Sequence, residues 1–493
     1  MTSETLDVLI VGAGISGIAA AYYLGQRCPQ LSWTIVEGRN AIGGTWDFFR
    51  YPGVRSDSDM FTLGYRFRPW RGENAIADGP SILQYLKDTA REFGIDRRIR
   101  FGQRVSRVSW SSREALWTVD IARGEETTQI RCNFLFMCTG YYRYDQGYTP
   151  PWPGMADFAG PVVHPQVWDA REQGAGVVDP DYAGKRVIVI GSGATAVTIA
   201  PALAQKASHV TMLQRSPSYV VSMPARDDQV NLLRGRLPDR LVSWLARWKM
   251  ILIGSYYYRK AKVNPNETRD VILQRIRAVL EPGFDVERHF DPAYNPWDQR
   301  VCIAADADLF QAINDGRLSM VTDHIERFVE EGLQLRSGEI LPADVIVTAT
   351  GMRMRIMDGV QIIVDGQPVQ LGDTLSYKGL MYSNIPNLAS AFGYTNASWT
   401  LKCELICEYV CRLLNYMRRR GYRQCVPRPE AESPPSEPMI DFTSGYVRRA
   451  GDELPRQGGR PPWRVYQNYL KDLLVMRFGR LDDGVMEFRK LRG

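Results

Sequence analysis

The chain has 493 residues, 44% of them hydrophobic, which is enough for two or three domains with sizeable cores. Its 61 Lys and Arg against 55 Asp and Glu leave a net charge of +6, spread along the chain with no Lys/Arg block of the kind that binds nucleic acid. The N-terminus leads almost directly into an apolar run with no charged leader, and no uncharged apolar run reaches the ~18 residues of a membrane span. The eight cysteines are scattered. Together these features predict a cytoplasmic protein with reduced, buried thiols.

Asp7-Val-Leu-Ile-Val11 is the nearly continuous apolar run of a strand buried in a parallel sheet. Gly12-Ala-Gly14-Ile-Ser16-Gly17 follows at once, and Ile18 to Leu24 reads as an alanine-rich helix. In that setting Gly12 turns the chain, Gly14 lets the backbone approach a pyrophosphate, and Gly17 lets helix and strand pack closely. The helix start, which includes Ser16, offers free N–H groups and the positive end of the helix dipole to phosphates. A second strand, Trp33-Thr-Ile-Val36, ends in Glu37, about 20 residues after Gly17, where this fold places an acceptor for ribose hydroxyls.

Gly43-Gly44-Thr45-Trp46-Asp47 comes next. A flavin-dependent disulfide reductase would carry its redox cysteine pair here, but this chain has Trp46 and no cysteine between Cys28 and Cys132. Arg50-Tyr-Pro-Gly-Val-Arg55-Ser-Asp57-Ser-Asp59 is a polar loop in apolar surroundings. Asp57 reads either as a solvated loop acid or as a buried site acid, and composition favours the first. Pro80 to Phe93 has the spacing of a surface helix, while Arg104 to Val108 and Leu116 to Ile121 alternate as antiparallel strands. Phe134 to Cys138 is an apolar strand ending in Thr139-Gly140, placed to return to the first sheet and close over a cofactor. Tyr141 to Pro153, rich in Tyr, Pro and Gly, reads as a loop and candidate linker.

Phe158-Ala-Gly160-Pro-Val-Val-His164-Pro-Gln-Val-Trp168-Asp169 has the form F-x-G-x-x-x-H-x-x-x-W-D. Beyond it, Arg186-Val-Ile-Val-Ile190 repeats the buried strand. Gly191-Ser-Gly193-Ala194-Thr195-Ala196 repeats the loop, with alanine in a third position that tolerates it. Val210-Thr-Met-Leu213 repeats the second strand. On that alignment Gln214 stands where Glu37 stands, and Arg215-Ser216 follow. Removing the acid and adding a cation favours a 2′-phosphate, so NADP over NAD; a plain surface arginine is the alternative. An acidic first unit and a cationic second one imply FAD and NADPH, with electrons passing from nicotinamide to flavin.

Pro224 to Pro296 is a long insertion. Within it, Leu237 to Lys262 mixes Trp, Ile, Leu and Tyr with Arg and Lys, and reads as helices covering a substrate pocket in preference to a basic amphipathic surface meeting a membrane. Ile325 to Leu335 and Asp344 to Val347 read as strands of the second unit, and Thr348-Ala-Thr350-Gly351 as the return to the first. Ala397 to Met417 reads as a helix whose N-terminus faces the flavin ring. Cys403, Cys407 and Cys411 share one face of it; neither their spacing nor their neighbours suit zinc, so no metal is expected. Val426 to Met439 reads as a proline-rich loop, and the tail beyond Trp463 as helical and basic.

With both loops placed, the middle run resembles the fingerprint of the Baeyer–Villiger monooxygenases, the class B flavin monooxygenases. The N- and S-oxygenating flavin monooxygenases carry a similar run without the final Trp-Asp. The resemblance covers nearly the whole chain, adding Gly43 to Trp46, Asn295-Pro-Trp-Asp-Gln-Arg300 and Thr348 to Gly351. The Arg300 motif, with Gly393-Tyr-Thr-Asn-Ala-Ser-Trp399, is most similar to the ethionamide-activating subgroup. The resemblance implies that Arg300 is the active-site arginine and Asp57 its acidic partner. It makes Thr45, Trp46 and Asp47 flavin contacts and the Val105 backbone an adenine contact. It gives His164 and Trp168 a structural or domain-coupling role. Ala194, Thr195 and Ser216 join Arg215 as candidates for the NADPH side.

The expected fold is α/β, with two Rossmann-like dinucleotide-binding domains and a helical insertion. Residues 1–150 and 346–493 would form the FAD-binding domain, 151–223 and 297–345 the NADP-binding domain, and 224–296 the insertion. The expected activity is NADPH- and oxygen-dependent insertion of oxygen beside a ketone through a flavin peroxide, giving an ester, with sulfoxidation alongside. A guanidinium is always charged and would hold the peroxide as the anion that attacks a ketone. The alternatives are a heteroatom oxygenase, and a flavin-binding protein without turnover. The expected substrate is a small hydrophobic ketone or sulfide.

Overall fold

The computed structural model describes residues 4–124, 126–168, 180–430, 437–440 and 442–491. Asp169, the last residue of the middle run, lies outside the described residues.

Two parallel nucleotide units recur with the same backbone logic. In the first, strand Thr5–Val11 lies between Trp33–Val36 and Glu126–Met137, parallel to both. In the second, Arg186–Ile190 lies between His209–Gln214 and Val345–Thr348, again parallel to both. The amide of Gly12 donates to Val36 O at 2.8 Å and that of Gly191 to Leu213 O at 2.8 Å, so each loop is pinned to its second strand at the same point. Both glycines have φ values that L side chains rarely adopt, +105° and +138°. A Cβ at Gly17 would sit 1.8 Å from Gly12 O. The second unit carries Ala196 at that place, fully buried.

The strand Glu126–Met137 does double service. Its first half pairs antiparallel with Leu116–Arg123, and its second half takes Thr5–Val11 and the short strand Leu388–Ser390, both parallel. The first sheet therefore has nine strands, extended by Arg104–Ser111, Gln361–Val364 and Gln367–Val369 on one side and Ile99–Arg100 on the other. Helix Trp399–Arg420 packs beside helix Ile15–Arg27 and is buried along most of its length, including Cys403, Cys407 and Cys411. All eight cysteines are free and buried, and no cluster that could hold a metal occurs among the described residues.

Two expectations change and one is refined. Residues 325–335 form strands packed on the second unit, but not in its parallel sheet. Ile325–Val329, Gly332–Leu335 and Ile340–Pro342 form a separate antiparallel sheet, whose Phe328, Leu333 and Leu341 cover Ile188 and Ile190 of the parallel one. The tail is not wholly helical: after helix Tyr469–Phe478, strand Met486–Arg489 pairs with Gln424–Pro427, whose last two residues begin the stretch read as a loop. No residue of the insertion, 224–296, lines the central cavity. Residues 239–263 form one 25-residue helix whose buried Arg247 donates to Glu404 Oε2 at 2.6 Å and to the carbonyls of Phe61 and Gly64. This charge-assisted anchoring holds the helix against the first unit, away from the central cavity.

Candidate active site

A cavity of about 1240 Å³ runs between the two glycine loops. Of the residues expected to bind a cofactor or to act on substrate, all lie on its wall except Gly17 and Asp47. Gly17 acts through close packing, as above. Asp47 is buried beneath the wall, where it pairs with Arg39 and, at 3.6 Å, with Arg50.

On the first side the wall is bare backbone at Gly12, Gly14 and Gly44, with Ser16, Thr45 and Trp46 beside them. Gly14 and Gly44 face each other closely, a Cβ on Gly44 meeting Gly14 Cα at 3.1 Å. Helix Ile15–Arg27 has no side-chain cap, which leaves its first N–H groups for a ligand. Glu37 accepts from the amides of Ala13 (2.7 Å) and Arg39 (2.9 Å). Burial pushes its carboxyl above the ordinary value, against those two N–H groups. Further along, near Val105, the side-chain oxygen of Gln103 is buried on the wall with no hydrogen-bond partner. An uncapped helix start, a glycine cradle, a ribose-level carboxylate and an orphaned acceptor fit a dinucleotide.

At the centre, Arg300 Nε lies 2.8 Å from Asp57 Oδ2, and its Nη2 donates to Asp57 Oδ1 at 3.1 Å. The pair spans 243 residues of chain. Arg300 lies two residues before strand Cys302–Ala305, which pairs with Val220–Met223 at the end of the second unit. Asp57 leaves the polar loop whose Arg55 is tied to Asp308. Burial disfavours the Arg300 charge, but the Asp57 carboxylate opposes it and the guanidinium is held above its ordinary value. Of the two readings of Asp57, the structure places it on the cavity wall, paired and one-third exposed, rather than in open solvent.

On the second side, Gly191, Gly193, Ala194 and Thr195 form the cradle, and Arg215 and Ser216 line the wall as exposed residues. Gln214 does not reach the cavity. It is buried, and its amide donates to His289 O at 2.8 Å and Thr322 Oγ1 at 2.9 Å.

His164 stands between the units. Its Nδ1 accepts from the Gln166 amide at 3.1 Å, so the proton sits on Nε2, which meets Gly351 O at 3.0 Å. Burial holds its pKa below the ordinary value. Trp168 is buried in the core of the second unit. Neither residue lines the cavity.

The stretch read as a linker, Tyr141 to Pro153, turns out to be a wall. Tyr141, Tyr142, Tyr144 and Tyr148 all line the cavity, with Tyr446 and Arg449 opposite. Burial pushes the phenols of Tyr141, Tyr144 and Tyr51 up to about 12, so they remain neutral donors at neutral pH. Arg449 stacks over Tyr148 at 3.5 Å, and Trp399 donates to Ser16 Oγ at 2.8 Å at the start of its helix. Four tyrosines within eight residues, between two nucleotide units, were the available signal for this wall.

The chain matches the family described as "Flavin-binding monooxygenase-like" over residues 74–252 and the "NAD(P)-binding Rossmann-like domain" over residues 10–71. Among curated proteins it is 50% identical to the FAD-containing monooxygenase EthA of Mycobacterium tuberculosis, covering 99% of this chain and 98% of that one. The chain belongs to the FAD-containing monooxygenases. Within this family it is 43% identical to the probable FAD-binding monooxygenase AlmA of Acinetobacter baylyi, over 98% of this chain and 96% of that one. In fold it is similar to an oxidized steroid monooxygenase bound to NADP, with a TM-score of 0.77 and 22% identity over 99% and 100% of the two chains. An open crystal structure of cyclohexanone monooxygenase gives a TM-score of 0.74 at 21% identity, with the same coverage. The enzyme is thus an FAD-containing monooxygenase with two Rossmann-like units.

Proposed function

We propose that this monooxygenase uses NADPH and O2 to insert one oxygen atom beside a ketone carbonyl, giving an ester, and that it also oxidises sulfur. The balance is ketone, O2, NADPH and a proton to ester, NADP⁺ and water. The observation that carries the reading is the bidentate Arg300–Asp57 pair, set in one cavity between an acidic and a cationic nucleotide loop.

Gly12, Gly14 and Ser16 would hold the FAD pyrophosphate, Glu37 its ribose, the Val105 backbone its adenine, and Thr45 and Trp46 its flavin. Asp47 would act one step removed, by fixing Arg39, which lies on that wall. Gly191, Gly193, Ala194 and Thr195 would take the NADPH pyrophosphate, with Arg215 and Ser216 at the 2′-phosphate. Bound FAD supplies the chemistry by accepting electrons from NADPH and activating oxygen.

Arg300 supplies a fixed positive charge where negative charge develops on oxygen, and Asp57 fixes its direction through two contacts. NADPH consumption measured with linear ketones, cyclic ketones and sulfides, with product analysis, tests the reading. Esters are expected from ketones; if only sulfoxides form, the Baeyer–Villiger assignment is wrong.

A further inference from the structure

The helix Asp239–Val263 turns Arg247 inward and an apolar stripe outward. Leu241, Trp244, Leu245, Leu252 and Tyr256 recur at three- and four-residue spacing and are 39 to 62% exposed. Helix Tyr469–Phe478 continues the stripe with Leu470, Leu474 and Phe478, the last 75% exposed. The two helices meet where Trp248 and Tyr469 pack edge-on, with ring centroids 6.2 Å apart. Exposed apolar side chains gathered on two neighbouring helices mark contact with a membrane or another protein. None of these residues lines the central cavity.

Beside Phe478 lies a second, shallow cavity of about 390 Å³, lined by Arg27, Arg66, Arg412, Arg477 and Glu408. Glu408 is the one carboxylate on that lining and its side chain is 2% exposed. It accepts from Arg27 at 2.9 Å, from Arg477 at 2.6 Å and from Arg66. Arg412 donates instead to the carbonyls of Met476 and Gly479. One carboxylate among four guanidiniums leaves the lining strongly positive, and the side chains of Arg27, Arg66 and Arg477 are 42, 37 and 29% exposed. Arg236, Arg240 and Arg259 are exposed on or next to the long helix.

We propose that this face docks on an anionic phospholipid surface. The apolar stripe enters the boundary between headgroups and acyl chains, and the arginine cavity takes a lipid phosphate. Charge complementarity selects this occupant. Guanidinium forks match phosphate oxygens in pairs, and amphipathic helices with Trp and Leu on one face and basic residues beside it lie in the membrane plane. A second copy fits poorly, because a two-fold contact through this patch would set the same positive cavities near each other. No helix among the described residues is long and apolar enough to cross a membrane, so attachment would be in-plane.

Flotation of the FAD-loaded protein with vesicles tests this, using phosphatidylcholine alone and with about 30% phosphatidylglycerol. The protein should float with the anionic vesicles at least about tenfold more than with the neutral ones, and lose most of that binding as salt is raised. Leu474→Glu with Phe478→Glu should cut the bound fraction about tenfold while leaving the melting temperature and NADPH oxidation unchanged. Equal flotation on both vesicle types, or on neither, overturns the proposal. So does a lipid-free dimer in analytical ultracentrifugation that the same double variant dissociates, since the face would then be a contact between copies.

Discussion

Arg300 and Asp57, 243 residues apart in the chain, meet through two contacts of 2.8 and 3.1 Å. This geometry needs a planar fork. Arg300→Lys keeps the charge but not the fork, and Arg300→Ala removes both. Both variants should keep bound FAD, because Arg300 lies away from the glycine cradle, and both should lose ester formation by about 100-fold or more. Asp57→Asn should lose less. Ester yield per NADPH consumed, measured with flavin absorbance as a control, checks this; normal ester rates in Arg300→Ala would remove the residue from the chemistry.

The second unit's preference for NADPH should rest mainly on the Arg215 cation, with no part played by the buried Gln214. Arg215→Ala is expected to raise the KM for NADPH by about tenfold to 100-fold and leave that for NADH nearly unchanged. Gln214→Glu should not create an NADH enzyme. It would set a carboxylate against the His289 carbonyl in a buried site, and the expected result is a loss of about 1–3 kcal/mol in stability. Steady-state kinetics with each cofactor, and urea denaturation of the Gln214 variant, separate the two effects.

Arg247 joins the insertion to the first unit through Glu404, with 9% and 5% of the two side chains exposed. Its removal leaves Glu404 with Tyr23 and the Arg66 amide and strands the carbonyls of Phe61 and Gly64. Arg247→Ala should destabilise the fold by about 3–5 kcal/mol. A denaturation midpoint equal to that of the wild type would show that the anchor contributes nothing.

Stability should also fall on mild acidification. Burial holds the His164 pKa below its ordinary value of 6.5, so the folded state keeps the ring neutral while the unfolded chain takes up a proton. The stabilisation is complete above that value and is lost as pH falls through it toward the lower folded pKa. His289 is shifted in the same direction, also by burial. His164→Asn, which does not titrate, should therefore flatten the dependence between about pH 7 and 5 without abolishing it. Unfolding free energies at several pH values test this, and an unchanged slope in the variant would show that His164 is not the titrating group.

The two nucleotide units were legible because their determinants are local. A strand, a glycine turn, a helix start and a second strand lie within some thirty residues, and the backbone geometry of Gly12 and Gly191 admits few other residues. Other features read locally were misjudged. The tyrosines at 141 to 148 looked like a linker because their own residues supply no periodicity; only the sheets on either side make them a wall. Residues 239–263 have the composition of a lid, but composition does not say which face turns inward.

Residue chemistry alone separated an acidic from a cationic nucleotide loop and set aside a cysteine redox pair, whereas Arg300 and Asp57 were singled out only by family resemblance. Only the tertiary structure could bring those two side chains together, seat Gln214 in the core while its neighbour Arg215 faces the cavity, and draw the long helix onto Glu404. The reason is physical. Turns and strand patterns follow from short-range sterics and burial periodicity, whereas an ion pair across 243 residues depends on how two whole sheets stand to each other.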